Sequence, residues 1–152
     1  MAVSPIPHGQ HSMTVYLAVA DARSAIEFYK KAFGAVELYL GESPSGRIDH
    51  AELRIGDSSL VLTEPSAGHP LASPAQPQAS VGLRLYVEDV DKHFAQALEL
   101  GAREFSAVSD LFYGDRSGTL VDPFGHVWIV CTHKEDLSME EVQERAKKFY
   151  GG

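Results

Sequence analysis

At 152 residues, with 44% hydrophobic and 22% charged side chains, the chain has the size and make-up of one ordinary domain with a real core. Its net charge of −8, from 21 acidic and 13 basic residues, argues against nucleic acid and anionic membranes, both of which need a positive protein surface. No apolar run approaches the ~18 residues that span a bilayer, and MAVSPIPHGQH lacks the basic start and apolar stretch of a secretory signal. With a single cysteine, Cys131, and so no internal disulfide, a cytoplasmic location is the expectation.

The first ten or so residues, with two prolines and a glycine, read as an extended arm. From Ser12 to Ala20 the chain alternates, with Val15, Leu17 and Val19 on one side and Thr14, Tyr16 and Ala18 on the other, the period of a strand. Asp21 stands where a helix N-cap belongs. Ala22 to Phe33 then carries Ala25, Ile26, Phe28, Tyr29, Ala32 and Phe33 at helical spacing, and Gly34 supplies the stop. Strands are expected over Val36–Leu40, Ile48–Ile55 and Ser59–Thr63, separated by the turn segment GESPSG and by Gly56-Asp57. Residues 65 to 79, rich in proline, alanine and serine, read as a linker.

The pattern then begins again. Val81 to Val87 alternates, and Asp89 opens a helix whose buried face is marked by Val90, Phe94, Ala97 and Leu98 and which Gly101 closes. Arg103–Val108, Phe112–Val121 and Val127–Thr132 are strand candidates, with Asp122-Pro123-Phe124-Gly125 as a turn. A last helix, Met139 to Phe149, is capped by Ser138 with Glu141 at the capping-box position, and its stripe of Val142, Ala146 and Phe149 suits packing on a partner subunit. The two halves match in three places: Thr14–Asp21 with Gly82–Asp89, Gly34-Ala35 with Gly101-Ala102, and Gly56 with Gly125. Such self-similarity points to a duplicated β-α-β-β-β unit, an α+β fold with modules at 12–64 and 80–133 and a C-terminal helix at 137–150.

The stretches AIEFYKKAFGA (25–35), HAELRIGDSSLVL (50–62), YVEDVD (86–91) and YGDRSGTLVDPFGHVW (113–128) resemble the PhnB-like branch of the vicinal oxygen chelate superfamily, the glyoxalase/bleomycin-resistance/dioxygenase group. The resemblance covers roughly residues 12 to 135. It implies tandem modules forming a curved, cup-shaped mixed sheet, and commonly a homodimer. It also implies a superfamily chemistry in which a divalent metal holds two vicinal oxygens of a substrate. Its metal enzymes place ligands on the first and last strands of each module. Counted from the motifs, those places are Thr14, Gly82, Ile129 and Leu60 or Leu62, and none of them is a histidine or a carboxylate.

The expected function is therefore a metal-free protein, with no cofactor, that binds a small, partly aromatic organic molecule. Thr14, Tyr16, Tyr86, Tyr113, Asp115 and Ile129 would line the site, and Arg84 or Arg116 would anchor an anionic or carbonyl group; read structurally instead, Asp115 and Arg116 would brace a hairpin. The alternative is a divalent-metal lyase, isomerase or dioxygenase with a shifted site at His50 and Glu52, two residues apart on one strand face. Glu64 reads as a rim residue, and His133 as lying just past the last strand. Cys131 shares the parity of Ile129 and so can face the cleft.

Overall fold

The computed structural model describes residues 2–74 and 79–151, so part of the expected linker, 75–78, lies outside the described residues. The duplicated pattern resolves into eleven elements. The first five are β1 (Val15–Ala18), α1 (Ala22–Phe33), β2 (Val36–Glu42), β3 (Ile48–Ile55) and β4 (Ser58–Thr63). The second set is β5 (Gly82–Tyr86), α2 (Val90–Glu99), β6 (Arg103–Asp110), β7 (Asp115–Val121), β8 (Val127–His133) and α3 (Met139–Gly151). The chain divides into two compact units, Met1–Ala75 and Gln76–Gly152. Each unit holds one four-stranded mixed sheet, in the order β1-β4-β3-β2 and β5-β8-β7-β6.

In each sheet the first strand runs parallel to the fourth and the other pairings are antiparallel. A parallel pair needs a crossover, and in both units the helix is part of it. The helix starts are set as the capping acids predict. Asp21 accepts from the Ser24 amide at 3.1 Å and Asp89 from the Lys92 amide at 3.2 Å. Each sheet also reaches up to its helix. In the first unit Glu64 accepts from the Ala22 amide at 2.7 Å and the Ile48 amide at 2.8 Å. This replaces the rim role expected of Glu64, since both its oxygens are committed to backbone. In the second unit the Thr132 hydroxyl accepts from the Val90 amide at 2.9 Å.

The first core is dense. Helix α1 buries Ala22, Ala25, Ile26, Phe28, Tyr29, Ala32 and Phe33 over Leu17, Ala51, Leu53, Leu60 and Leu62. The second is lighter. Helix α2 buries Val90, Phe94 and Ala97 over Leu120, Trp128 and Val130, while Leu83 and Leu85 stay half-buried. Phe94 comes so close to the sheet that a Cβ on Gly118 would stand 2.8 Å from its ring and 2.8 Å from Val108. The DPFG turn is held by Asp122, which accepts from the amides of Phe124 and His126, each at 2.9 Å, and from the Trp128 indole at 2.8 Å.

Several boundaries differ from expectation by one to three residues, and two of them are instructive. Strand β7 begins at Asp115 rather than Phe112, because residues 112–114 turn, with the Gly114 amide bonded to the Leu111 carbonyl at 3.2 Å. Strand β2 continues through Gly41 and Glu42, which had been read as turn. Helix α3 buries none of its residues. Its end rests on that same 112–114 turn, with Phe112 5.2 Å from Phe149 and 5.7 Å from Tyr150 between ring centroids. Part of the stripe expected to meet a partner subunit thus contacts the chain's own turn.

Candidate functional site

Side chains alternate across a strand, so each sheet has a helix-covered face and an open face. In the second sheet the register places Arg84 opposite Ile129, Tyr86 opposite Cys131, Ser117 opposite Cys131 and Asp115 opposite His133, all on the open face. Gly118 and Leu120 lie on the other face, beneath α2. Arg116 shares their parity, and this favours the bracing role over the anchor. Its guanidinium meets Asp91 of α2 at 2.8 and 2.9 Å and Asp110 at 3.2 Å, holding its pKa well above the ordinary arginine value. Arg116 braces helix to hairpin, and Arg84 is left as an exposed arginine on the open face.

Around Arg84 the structure gathers an ordered chain of polar groups. Asp115 is a carboxylate with 3% of its surface exposed. It accepts from the Tyr86 hydroxyl at 2.7 Å and meets His133 Nδ1 at 2.8 Å. His133 Nε2 in turn meets Asp136 at 2.8 Å. An imidazole facing carboxylates through both nitrogens donates to both only as the cation. Its pKa is accordingly raised, first by Asp115 and then by Asp136. The hydrogen bond to Asp115 likewise pushes the Tyr86 phenol up. Arg84 lies beside Tyr86, which raises the arginine's pKa further through charge and hydrogen bonding. Burial raises Tyr113 and Cys131. Cys131 is fully buried, its Sγ 3.4 Å from the Ser117 hydroxyl, so it is a packed thiol and not a reactive one.

Sequence reasoning missed His133, although it shares the parity of Ile129 and Cys131 on β8 and was legible there. Tyr113 is positioned by its neighbour. Gly114 sits at φ +99°, and a Cβ there would lie 2.6 Å from the Glu135 carbonyl oxygen. Only glycine allows the turn to press against the segment after β8, where the Gly114 carbonyl accepts from the amides of Lys134 and Glu135. A hollow of about 370 Å³ opens at this end of the sheet, lined by Asp110, Leu111, Gly114, Asp115, Lys134 and Glu135.

The first sheet's open face carries a different set. His50 Nε2 stands 3.2 Å from Glu52 Oε1, between the rings of Tyr16 at 5.9 Å and Tyr39 at 6.0 Å. Thr14, half-buried, precedes β1. Leu60 and Leu62 do not belong to this face. They pair with Leu53 and Ala51 and are buried toward α1, which leaves Ser59, Val61 and Thr63 as the open-face residues of β4.

A family model described as the glyoxalase/bleomycin resistance protein/dioxygenase superfamily matches residues 9–130. The chain belongs to this superfamily. Among its relatives, the uncharacterized protein Rv0887c of Mycobacterium tuberculosis is 38% identical over 136 residues, 87% of this chain and 80% of that one. Among solved structures, TioX from Micromonospora sp. ML1 superposes with a TM-score of 0.62 at 26% identity, covering 84% of this chain and all of that one (100%). The PhnB protein from Bacillus cereus, a putative 3-demethylubiquinone-9 3-methyltransferase, superposes with a TM-score of 0.64 over 80% of this chain and 99% of its own; at 16% identity it supports the fold alone.

The superfamily's metal enzymes hold a divalent metal, and the residues at the carried-over places of this chain do not fit one. The carried-over places offer Thr14, Gly82, Ile129 and a leucine on the covered face of β4. His50 and Glu52 are two donors that bond each other. Asp115 and Asp136 are separated by His133, which spends one nitrogen on each. Among the described residues no three histidine, cysteine or acidic side chains converge on a common point.

Proposed function

We propose that the chain is a metal-free binding protein for a small, partly aromatic organic molecule, held on the open face of the second sheet with Arg84 as its anchor. One observation carries this reading. Of the two arginines that flank the site in sequence, Arg116 is neutralised by two carboxylates on the helix side, whereas Arg84 is exposed beside Tyr86 on the open face. A cation among aromatic rings suits the anionic end of a flat molecule, with bidentate hydrogen bonding to a carboxylate and ring surface for the remainder. Neither role needs a catalytic group.

Calorimetric titration with benzoate and 2-naphthoate tests the proposal. The expected result is saturable binding that Arg84→Ala abolishes and Arg116→Ala leaves in place. Equal affinity in Arg84→Ala, or no binding of any aromatic acid, overturns it.

A second reading, a metal-dependent lyase, isomerase or dioxygenase, is favoured by the half-exposed His50–Glu52 pair between two tyrosines. Near one nickel, zinc, manganese or iron per chain after loading and desalting, lost in His50→Ala, is the result that would replace the first reading with this one.

A further inference from the structure

The polar chain around Asp115 also fixes which way each hydrogen bond of the site points. A phenol holds its proton far more tightly than a carboxylate, so in the 2.7 Å contact Tyr86 donates and Asp115 accepts. The other Asp115 oxygen faces the His133 ring, itself held on its far side by Asp136. Tyr86 has one proton and has spent it. Toward the open face its oxygen can only accept, and Arg84, two residues along β5 on the same face, is its neighbour there.

A carboxylate that takes the Arg84 fork comes to rest beside the Tyr86 oxygen without offering it a proton. A ligand gives that oxygen a donor only if it carries an O–H next to its carboxylate. An ether or a hydrogen at that position leaves the oxygen to water, since Tyr86 is half-exposed at 52%.

Resting on the reading of Arg84 as anchor, we infer that the site selects aromatic acids bearing a hydroxyl beside the carboxylate, with the Arg84 guanidinium taking the carboxylate and the Tyr86 oxygen accepting the hydroxyl proton. Asp115 and His133 are positioning residues. They touch no ligand, and they act by consuming the Tyr86 proton.

Three probes of similar size separate the possibilities: mandelate, phenylacetate and α-methoxyphenylacetate, titrated calorimetrically against the full chain and against Tyr86→Phe and Arg84→Ala. Mandelate is expected to bind about fivefold more tightly than the other two, the worth of one net hydrogen bond. Tyr86→Phe should equalise the three at the phenylacetate level, and Arg84→Ala should weaken all of them alike. Equal binding of the three by the wild-type protein, or a preference for the methoxy compound, overturns the inference while leaving Arg84 as an anchor. Absence of any Arg84-dependent binding is the failure of the anchor itself. Unchanged far-ultraviolet dichroism and thermal midpoint in Tyr86→Phe show that a lost preference is not a folding defect.

Discussion

The two units share a strand order and a helix position, yet they hold their sheets differently. In the first, α1 lays three aromatic rings and four smaller side chains on an apolar sheet, with Tyr29 and Phe33 stacked at 6.1 Å and Phe28 set edge-on to both. In the second, α2 buries only Val90, Phe94 and Ala97, and the unit is also laced by directional contacts: Arg116 to Asp91 and Asp110, Asp115 to Tyr86 and His133, Asp122 to Trp128. Apolar packing is non-directional and tolerates rearrangement, whereas a polar network fixes the positions of its members. The comparison teaches that duplication kept the topology, while the linked polar contacts gathered in the unit with the lighter core.

Substitution at equivalent positions breaks or sharpens this contrast. Leu17 on β1 and Leu85 on β5 occupy the same place in the repeat, but Leu17 is 5% exposed and Leu85 half-buried. Leu17→Ala should destabilise by about 2–5 kcal/mol and Leu85→Ala by roughly half as much. Urea unfolding of both variants checks this, and equal losses would show that the second core is as heavy as the first.

Gly114→Ala comes next. It places a side chain at positive φ and against the Glu135 carbonyl, and a loss of about 1–3 kcal/mol is expected. Loss of the Arg84-dependent aromatic-acid binding should accompany it, because Tyr113 moves with the turn.

The smallest effect tests the network through pH. The pKa of His133 is raised in the folded chain by Asp115 and Asp136, so the stability it contributes is fully present below the unfolded value of ~6.5 and is lost as pH rises through the folded value. Wild-type stability should therefore fall more than that of His133→Gln over this step. A proton NMR titration of the imidazole checks the direction, and a His133 midpoint below the free-histidine value would remove the cation from the network.

Much of the fold was legible because period-two and period-3.6 apolar patterns, capping acids and stop glycines are local signals. Thus α1, β3 and the Asp21 and Asp89 caps stand where the sequence places them. The site was legible only in part. Tyr86, Arg84 and Asp115 were singled out, but Asp115 and Arg116 were both given to the site, one as lining and the other as an anchor. The start of β7 decides otherwise. Once Asp115 is the first strand residue, neighbours in sequence point to opposite faces, one to Tyr86 and His133, the other to Asp91 and Asp110.

By itself, then, the sequence determined the duplicated β-α-β-β-β architecture, the capped helices and the absence of metal-ligating side chains at the carried-over places, since each depends on residue type and spacing alone. Only the tertiary structure decided which cation is spent in the fold and which is presented. That choice depends on cross-strand register between residues as much as 45 positions apart, such as Arg84 and Ile129, and a slip of one residue exchanges the faces of a strand.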